Sequence, residues 1–409
     1  MTRDSIKPIV MALCMAVLIR LAYGGQDFTL PDLVKLATEN NLLLKISDLE
    51  RQIAAEEYRA ARLLPNPELE YSQGRGEVPE ISGQRRLWSL GLKLSIPNPL
   101  YRHYLLKAEK GKVTAEEIKE EILRRDIIKR LKHHYYRLQF NREIGAFAAE
   151  RRDILDEIKR ITRARASIGE AKEIDVLRAS VERQKVGSEL FSIEKSISVE
   201  RAHLDEVLNF SLPADFEVVA DFRFAPLPDI DSRVGLLIEN SPSLRLRQNH
   251  LLVKRNNLKA SRNSLIDSLQ IFGEREREVD AYVWRVGLGL SLPIFNTRSH
   301  VIKQARLERE KAEVEWRHVR NHLSANIRQL MAQIRVLEQE IQTYQGVILK
   351  EGQENMLLSQ RLYRAGEISL IVFLDSQQSF FELQERYYRA LTEWKILKAE
   401  LEAFLGEAL

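Results

Sequence analysis

The sequence predicts a mainly α-helical fold with a membrane β-barrel portion, built from a duplicated strand–strand–long helix–long helix repeat. Two ten-residue segments, "WSLGLKLSIP" (Trp88–Pro97) and "WRVGLGLSLP" (Trp284–Pro293), share Trp, Gly, two Leu, Ser and Pro at equivalent positions. Both alternate apolar with small or polar residues, as a two-faced strand does. No proline lies between Pro99 and Pro213 or after Pro293. Because helix interiors exclude proline, each half can end in long helices.

The overall composition excludes some classes of protein. The 409 residues are 30% charged with a formal net charge of +4, which argues against nucleic acid as the main partner. No apolar run reaches the roughly 20 residues that a transmembrane helix needs. Transmembrane strands give a much weaker hydropathy signal, so this observation does not exclude them.

Residues 1–25 resemble a signal peptide. Arg3 and Lys7 precede the apolar stretch "PIVMALCMAVLI", and small residues near Gly24 supply a cleavage site. A buried internal helix is the alternative. Cys14, the only cysteine, lies in this segment, and the residues before it are a poor match for a lipid-anchor site. The mature chain is therefore expected to contain no disulfide.

An internal duplication sets the domain boundaries. "LATENNLLL" (36–44) aligns with "LLIENSPSL" (236–244), and "GEAKEIDVL" (169–177) aligns with "GEISLIVFL" (366–374). We predict a first repeat at 26–209, a proline-containing linker at 210–231 and a second repeat at 232–409. The predicted strands are about 66–75, 86–96, 266–276 and 281–292; the predicted long helices are about 100–166, 170–209, 297–364 and 367–405.

A heptad pattern runs through the second half. Apolar residues are spaced alternately by four and three over more than three heptads, which is typical of coiled-coil packing. These residues are Leu323, Ile327, Leu330, Ile334, Leu337, Ile341, Tyr344 and Ile348.

The paired strands are long enough to cross a membrane, since about 9–11 tilted residues suffice. One face of each Trp-containing strand is apolar, and we expect it to contact lipid. The predicted lipid-facing residues are Trp88, Leu90, Leu92, Leu94, Trp284, Val286, Leu288 and Leu290. The alternative is a pair of hairpins packed on a soluble helical core. Four strands cannot close a barrel in lipid, so three chains are expected to share twelve strands.

The chain resembles the TolC family of outer-membrane efflux proteins over nearly its whole mature length. The most specific segment is "YRAGEISLIVFLDSQQSFFELQERYYRALTEWKILKAELEAFLG" (363–406). Residues at the family's spacing are Tyr363, Gly366, Ser369, Leu374, Asp375 and Gly406. The resemblance implies a homotrimer with a shared 12-stranded β-barrel in outer-membrane lipid and a long α-helical coiled-coil tunnel in the periplasm. It also implies a periplasmic adaptor protein and an inner-membrane pump as partners.

The resemblance places a gate at the two helical turns. The family has acidic residues six and nine positions after each turn glycine; here these positions are Asp175 and Arg178 in the first copy, and Val372 and Asp375 in the second. A ring of carboxylates would favour cations. Alternatively, the acids merely stabilise the first turn of a helix. The implied adaptor-contact residues are Gly169, Lys172, Gly366 and Ser369.

No catalytic motif or cofactor site is recognisable, so a passive channel is favoured over an enzyme. The cargo is open between metal ions and small toxic compounds. Two competing classes are a periplasmic coiled-coil scaffold and a metal-binding protein, since Glu315, His318 and His322 share a helical face at metal-ligand spacing. The basic segment 124–137 suggests a nucleic-acid surface, but its apolar seam favours a solvated coiled-coil face.

Overall fold

The computed structural model describes residues 27–406, except 79–80, 214–215, 229–230, 267 and 279–280. The predicted signal peptide and Cys14 lie outside the described residues. No described helix is both long enough and apolar enough to cross a bilayer.

The described chain is mainly helical, as predicted, and its four long strands follow one another along the chain as two pairs, one in each half. The first half contains β1 (Asp27–Phe28), α1 (Leu30–Asn40), α2 (Leu42–Ala61), β2 (Glu68–Val78), β3 (Ile81–Pro97), α3 (Pro99–Ser167) and α4 (Glu173–Val207). The connecting segment carries β4 (Glu217–Val218), which pairs in parallel with β1. The second half contains α5 (Val234–Asn240), α6 (Pro242–Arg262), β5 (Ser268–Arg277), β6 (Tyr282–Leu290), α7 (Ser299–Thr343), a π-helical segment (Tyr344–Ile348), α8 (Leu349–Ala365) and α9 (Leu370–Leu405).

Asn98 makes the transition from β3 to α3. Its side-chain oxygen accepts a hydrogen bond from the Leu100 amide at 2.9 Å, and Pro99 begins the helix. Proline is favourable there because the first helical N–H has no partner within the helix. The Asn98 amide also donates to the Ile266 carbonyl at 2.8 Å, just before β5. The Asn98 side chain thus makes hydrogen bonds both to the start of α3 and to a residue of the second half of the chain.

The chain forms two compact units that do not coincide with the two repeats. Within the described residues, one comprises 27–44, 122–237 and 323–406, and the other comprises 45–121 and 238–322. Each unit therefore contains segments from both halves. In the first unit, a buried apolar cluster between α1, α3 and α4 includes Leu33, Leu131 and Leu204. The second unit contains the sheet of β2, β3, β5 and β6.

The predicted heptad seam is buried only as far as Tyr344. Leu323, Ile327, Leu330, Ile334, Leu337, Ile341 and Tyr344 are all buried. Ile348, the next predicted position, is half-buried. Beyond the π-helical segment the buried residues are Met356, Ser359 and Tyr363, which is one residue later than the heptad requires. A π-helical turn holds one additional residue, so it shifts the seam by that amount. The helix predicted at about 297–364 therefore contains a π-helical turn, and the heptad spacing is kept as far as that turn.

Candidate functional site

The four long strands form one antiparallel sheet in the order β2-β3-β5-β6. Two hairpins, β2–β3 and β5–β6, are joined by the pairing of β3 with β5, in which Leu92 lies opposite Gly273. Among the described residues, β2 and β6 each pair along one side only. The sheet therefore has two open edges, each with unpaired backbone groups.

One face of the sheet is apolar and solvent-accessible. The register and the two-residue strand period place all eight predicted lipid-facing residues on this face. Val286 is 83% exposed and Trp284 is 71% exposed, whereas Trp88 and Leu94 are half-buried. Leu69 and Tyr71 of β2 extend the same face with 70% and 63% exposure. Such a continuous apolar surface indicates a partner or a lipid environment.

The opposite face of the sheet is polar. Glu68 and Lys93 lie 3.9 Å apart on paired strands, and Arg285 forms ion pairs with Glu276 and, at 2.8 Å, with Glu278. The hydroxyl oxygens of Ser72 and Ser89 are 2.9 Å apart across β2 and β3. The sheet thus separates a water-compatible face from an apolar one, as a strand between lipid and a polar lumen must.

Two glycine turns connect the long helices. Gly169 follows α3 with φ +85°, and Gly366 follows α8 with φ +84°. Glycine adopts this left-handed conformation without a Cβ clash. The amide of Glu170 donates to the Arg165 carbonyl and that of Glu367 to the Leu362 carbonyl, both at 2.9 Å. These bonds satisfy carbonyl groups at the helix ends, so both turns are tight helix reversals.

Arg165 joins the two turns, and sequence reasoning missed it. Its guanidinium donates to the carbonyl oxygens of Tyr363 at 3.0 Å and Arg364 at 2.9 Å. It also lies 5.3 Å from the centre of the Tyr363 ring. The Tyr363 hydroxyl is 2.5 Å from Thr162 Oγ1, and its ring stacks on Phe373 at 5.6 Å. The basic run around Arg165 gave no signal that distinguished this arginine from its neighbours.

The predicted adaptor-contact residues lie at and just after these turns. Lys172 and Ser369 are the N-cap residues of α4 and α9, and neither side chain makes a capping hydrogen bond. Ile168, beside the first turn, is 70% exposed. The structure therefore leaves these turns accessible at their side chains.

Of the predicted gate residues, Asp175 lies in the first turn of α4, whereas Arg178 of α4 and Asp375 of α9 lie one turn further along. The alternative role as a first-turn acid therefore applies to Asp175 and not to Asp375. Arg178 and Asp375 line one groove of about 860 Å³ between the two helices, together with apolar Ile174, Leu177 and Ile371. The Arg178 guanidinium is 3.7 Å from the Asp175 carboxylate. One acid is thus paired within its own helix, while Asp375 is exposed.

Arg151 and Glu189 also line this groove, and their charged groups are 3.7 Å apart. Burial lowers the pKa of Arg151 and raises the pKa of Glu189. Two partly desolvated charges therefore share the groove with Arg178 and Asp375.

The candidate metal ligands are not gathered into a site. The rings of His318 and His322 are 6.2 Å apart, while the Glu315 carboxylate lies 3.8 Å from His250 on α6. Among the residues that the structure describes, no three His, Cys, Asp or Glu side chains are arranged to hold a metal ion. In the basic segment 124–137, Ile127, Leu131 and Tyr135 are buried, which identifies a packed helical face.

Comparisons with known proteins agree with this geometry. Residues 234–407 match the outer membrane efflux protein family. The cobalt-zinc-cadmium resistance protein CzcC of Cupriavidus metallidurans is 21% identical over 382 residues, which are 92% of this chain and 90% of that protein. The crystal structure of CusC has a TM-score of 0.80 at 17% identity and covers 93% of each chain. The open state of the Neisseria gonorrhoeae MtrE outer membrane channel has a TM-score of 0.77 at 18% identity, over 93% of this chain and 89% of that one. Residues 234–407 are thus an outer membrane efflux protein domain, and the described chain shares the fold of these solved structures.

Proposed function

We propose that this protein is the outer-membrane channel of a tripartite efflux system. It acts as a homotrimer and as a passive conduit, not as an enzyme, and it extends from the outer membrane into the periplasm. The energy for transport comes from an inner-membrane pump, which a periplasmic adaptor protein connects to the channel.

The observation that carries this proposal is the two-faced sheet with its two open edges. In hydrocarbon, an unpaired strand edge leaves backbone groups unsatisfied at a cost of several kcal/mol each. Pairing β6 of one chain with β2 of the next removes these edges. Three chains then contribute twelve strands, which enclose a wider interior than the roughly eight strands that side chains alone can fill. The polar face, with Lys93 and Arg285, lines this lumen.

The two glycine turns are the proposed docking points for the adaptor. Support comes from the left-handed turn residues Gly169 and Gly366 and from the uncapped N-cap residues Lys172 and Ser369. An adaptor that inserts its own turn between them can use these side chains without breaking an existing capping bond.

The groove residues are the proposed determinants of entry. Threefold symmetry would place three copies of Asp375 around the entrance, with Asp175 partly neutralised by Arg178. Rings of carboxylates favour cations. Divalent metal cations are our candidate cargo, because the relative named for cobalt, zinc and cadmium resistance aligns with 92% of this chain.

The test combines assembly with conductance. Light scattering of the protein in detergent should give three chains per particle, and the protein should form discrete channels in planar bilayers. A periplasmic scaffold would instead be recovered in the soluble fraction without detergent. A monomer that binds metal and does not conduct would support the metal-binding alternative.

A further inference from the structure

At the β5–β6 connection, the apolar face of these two strands ends in a cluster of arginine and aromatic side chains. We define the arginine–aromatic patch as Trp88, Arg275, Arg277, Tyr282 and Trp284. Arg277 lies opposite Trp88 on one side and Tyr282 on the other, and Arg275 lies opposite Trp284. On each strand, these residues lie an even number of positions from Leu92, Gly273 or Val286, which are opposite one another in the sheet. All five side chains therefore project from the apolar face.

Cation–π and ring–ring contacts hold the patch together. The Arg275 guanidinium lies 5.4 Å from the centre of the Tyr282 ring and 5.2 Å from that of Trp284. The Arg277 guanidinium is 5.7 Å from the Tyr282 ring, which in turn lies 6.3 Å from Trp88. Stacking on a ring fixes the plane of a guanidinium and leaves its N–H groups free at the edge.

The charge of the patch is not neutralised locally. Both arginines are exposed, and neither forms an ion pair with a carboxylate among the described residues. On the polar face of the same sheet, by contrast, Arg285 is paired with both Glu276 and Glu278. Arginine is thus ion-paired on the polar face and not ion-paired on the apolar face. The positive charge without a carboxylate partner lies on the face we assign to lipid.

A positive charge is costly in hydrocarbon and favourable beside anionic headgroups. The apolar rows of the face, represented by Leu92, Gly273 and Val286, are followed within two residues by Arg275. Two strand residues span about 7 Å. Over this distance the face changes from apolar side chains, which suit hydrocarbon, to arginine side chains, which suit phosphate. Planar guanidinium groups bind phosphate oxygens in a bidentate manner.

We propose that the arginine–aromatic patch binds the phosphate of an anionic lipid headgroup. The aromatic rings lie at the level where hydrocarbon meets headgroups, and the two guanidinium groups hold the phosphate above them. This inference rests on the proposed function, since it requires the apolar face to contact lipid.

The test uses the full-length trimer in nanodiscs that contain phosphatidylcholine with or without phosphatidylglycerol. Native mass spectrometry counts the lipids that stay bound on release. The wild type should retain phosphatidylglycerol preferentially, and the R275Q/R277Q variant should lose this preference by about tenfold or more. The R275K/R277K variant keeps the charges and should keep most of the preference. The matched control K93Q/R285Q removes two positive charges from the opposite face and should retain phosphatidylglycerol as the wild type does.

Each outcome has a separate meaning. If R275Q/R277Q inserts, conducts and retains phosphatidylglycerol like the wild type, the patch does not bind headgroups, although the channel function stands. If inorganic phosphate alone displaces phosphatidylglycerol and stabilises the lipid-free protein equally well, the site takes free phosphate and the lipid assignment is overturned. If the wild type neither enters the discs nor conducts, both the channel function and the lipid site are wrong.

Discussion

Arg165 clamps the end of α8 by donating to the Tyr363 carbonyl at 3.0 Å while its guanidinium lies over the Tyr363 ring. The contact connects the turn after α3 with the turn after α8. Because charge-assisted hydrogen bonds contribute about 1.5–3 kcal/mol each, this residue restrains how far the two turns can separate.

Replacing Arg165 with Ala should loosen the periplasmic turns. We expect a larger open probability in planar-bilayer recordings and a loss of about 1–3 kcal/mol of stability. The control is Arg163→Ala, which removes an exposed arginine two residues away. Equal conductance of the wild type and both variants would show that the Arg165 contact does not restrain the gate.

The second prediction concerns ion selectivity. Unit charges about 8 Å apart interact by roughly 2 kcal/mol at an effective dielectric constant near 20, so Asp375→Asn should reduce cation selectivity. Asp175→Asn should have a smaller effect, because Arg178 already lies 3.7 Å from that carboxylate. Reversal potentials across a salt gradient measure both effects. If the potentials do not change while all three proteins remain trimeric, neither carboxylate faces the entrance.

The third prediction tests the lipid-facing strands. Leu290→Asp places a carboxylate on the apolar face near the end of β6 and should cost on the order of 1 kcal/mol per chain in membrane stability. Its matched control is Ser95→Asp, which adds the same charge to the polar face of β3. Outer-membrane fractionation should show reduced insertion for Leu290→Asp only. Equal yields of both variants in the membrane would exclude lipid contact on this face.

The fourth prediction concerns a close approach within the sheet. A Cβ at Gly287 would lie within 3.0 Å of three ring atoms of Phe272, whereas a Cβ at Gly273 would have no atom within 4 Å. Gly287→Ala should therefore lower the melting temperature, with a cost of about 1 kcal/mol because the exposed Phe272 ring can move aside, and Gly273→Ala should not. The double variant Phe272→Leu, Gly287→Ala should recover most of the loss. Without such recovery, the ring contact would not be the cause.

The fifth prediction concerns acid sensitivity near the contact between α3 and α4. Burial, followed by the charges of His134 and Arg137, lowers the pKa of His133 from 6.5. Just below pH 6.5, the unfolded chain therefore binds a proton that the folded chain does not, and stability falls as the pH falls. His133→Gln should make the melting temperature less dependent on pH just below pH 6.5, whereas replacing the exposed His300 with Gln should not.

Glu200 acts in a different pH window. Although burial opposes ionisation, the hydrogen bond from His134 and the nearby positive charges lower the pKa of Glu200 below its usual 4.5. Its contribution is therefore kept above pH 4.5 and lost only as the pH falls through the folded pKa. If His133→Gln changed the melting curve only below pH 4.5, the effect assigned to His133 would be wrong.

The strands could be predicted because alternation and register carry their information locally. Leu90 and Leu92 are exposed on the apolar face of β3, and the small or polar Ser89 and Gly91 are half-buried on its opposite face. The glycine turns were equally clear, since Gly169 and Gly366 both require positive φ.

Other features depend on tertiary contacts that the sequence does not display. Arg165 is one of several arginines near the end of α3, and only the folded chain shows which one reaches Tyr363. The π-helical segment was missed because Met356, Leu357 and Leu358 are all apolar. The apolar pattern therefore fits both the original heptad spacing and the spacing shifted by one residue. Asp375 and Arg178 come from different repeats, and their shared groove follows from helix packing.

The π-helical turn at Tyr344–Ile348 holds one residue more than the heptad spacing of this helix requires. A related chain that lacks one residue here would keep Tyr344 and Tyr363 in their buried positions and would simply have a regular α-helix. Loss of a residue within α7 would instead rotate everything beyond it by about 100° and turn Leu337 and Ile341 towards water. Changes in chain length are therefore tolerated at this turn and selected against within the uninterrupted seam, so gaps in an alignment of relatives should collect at 344–348.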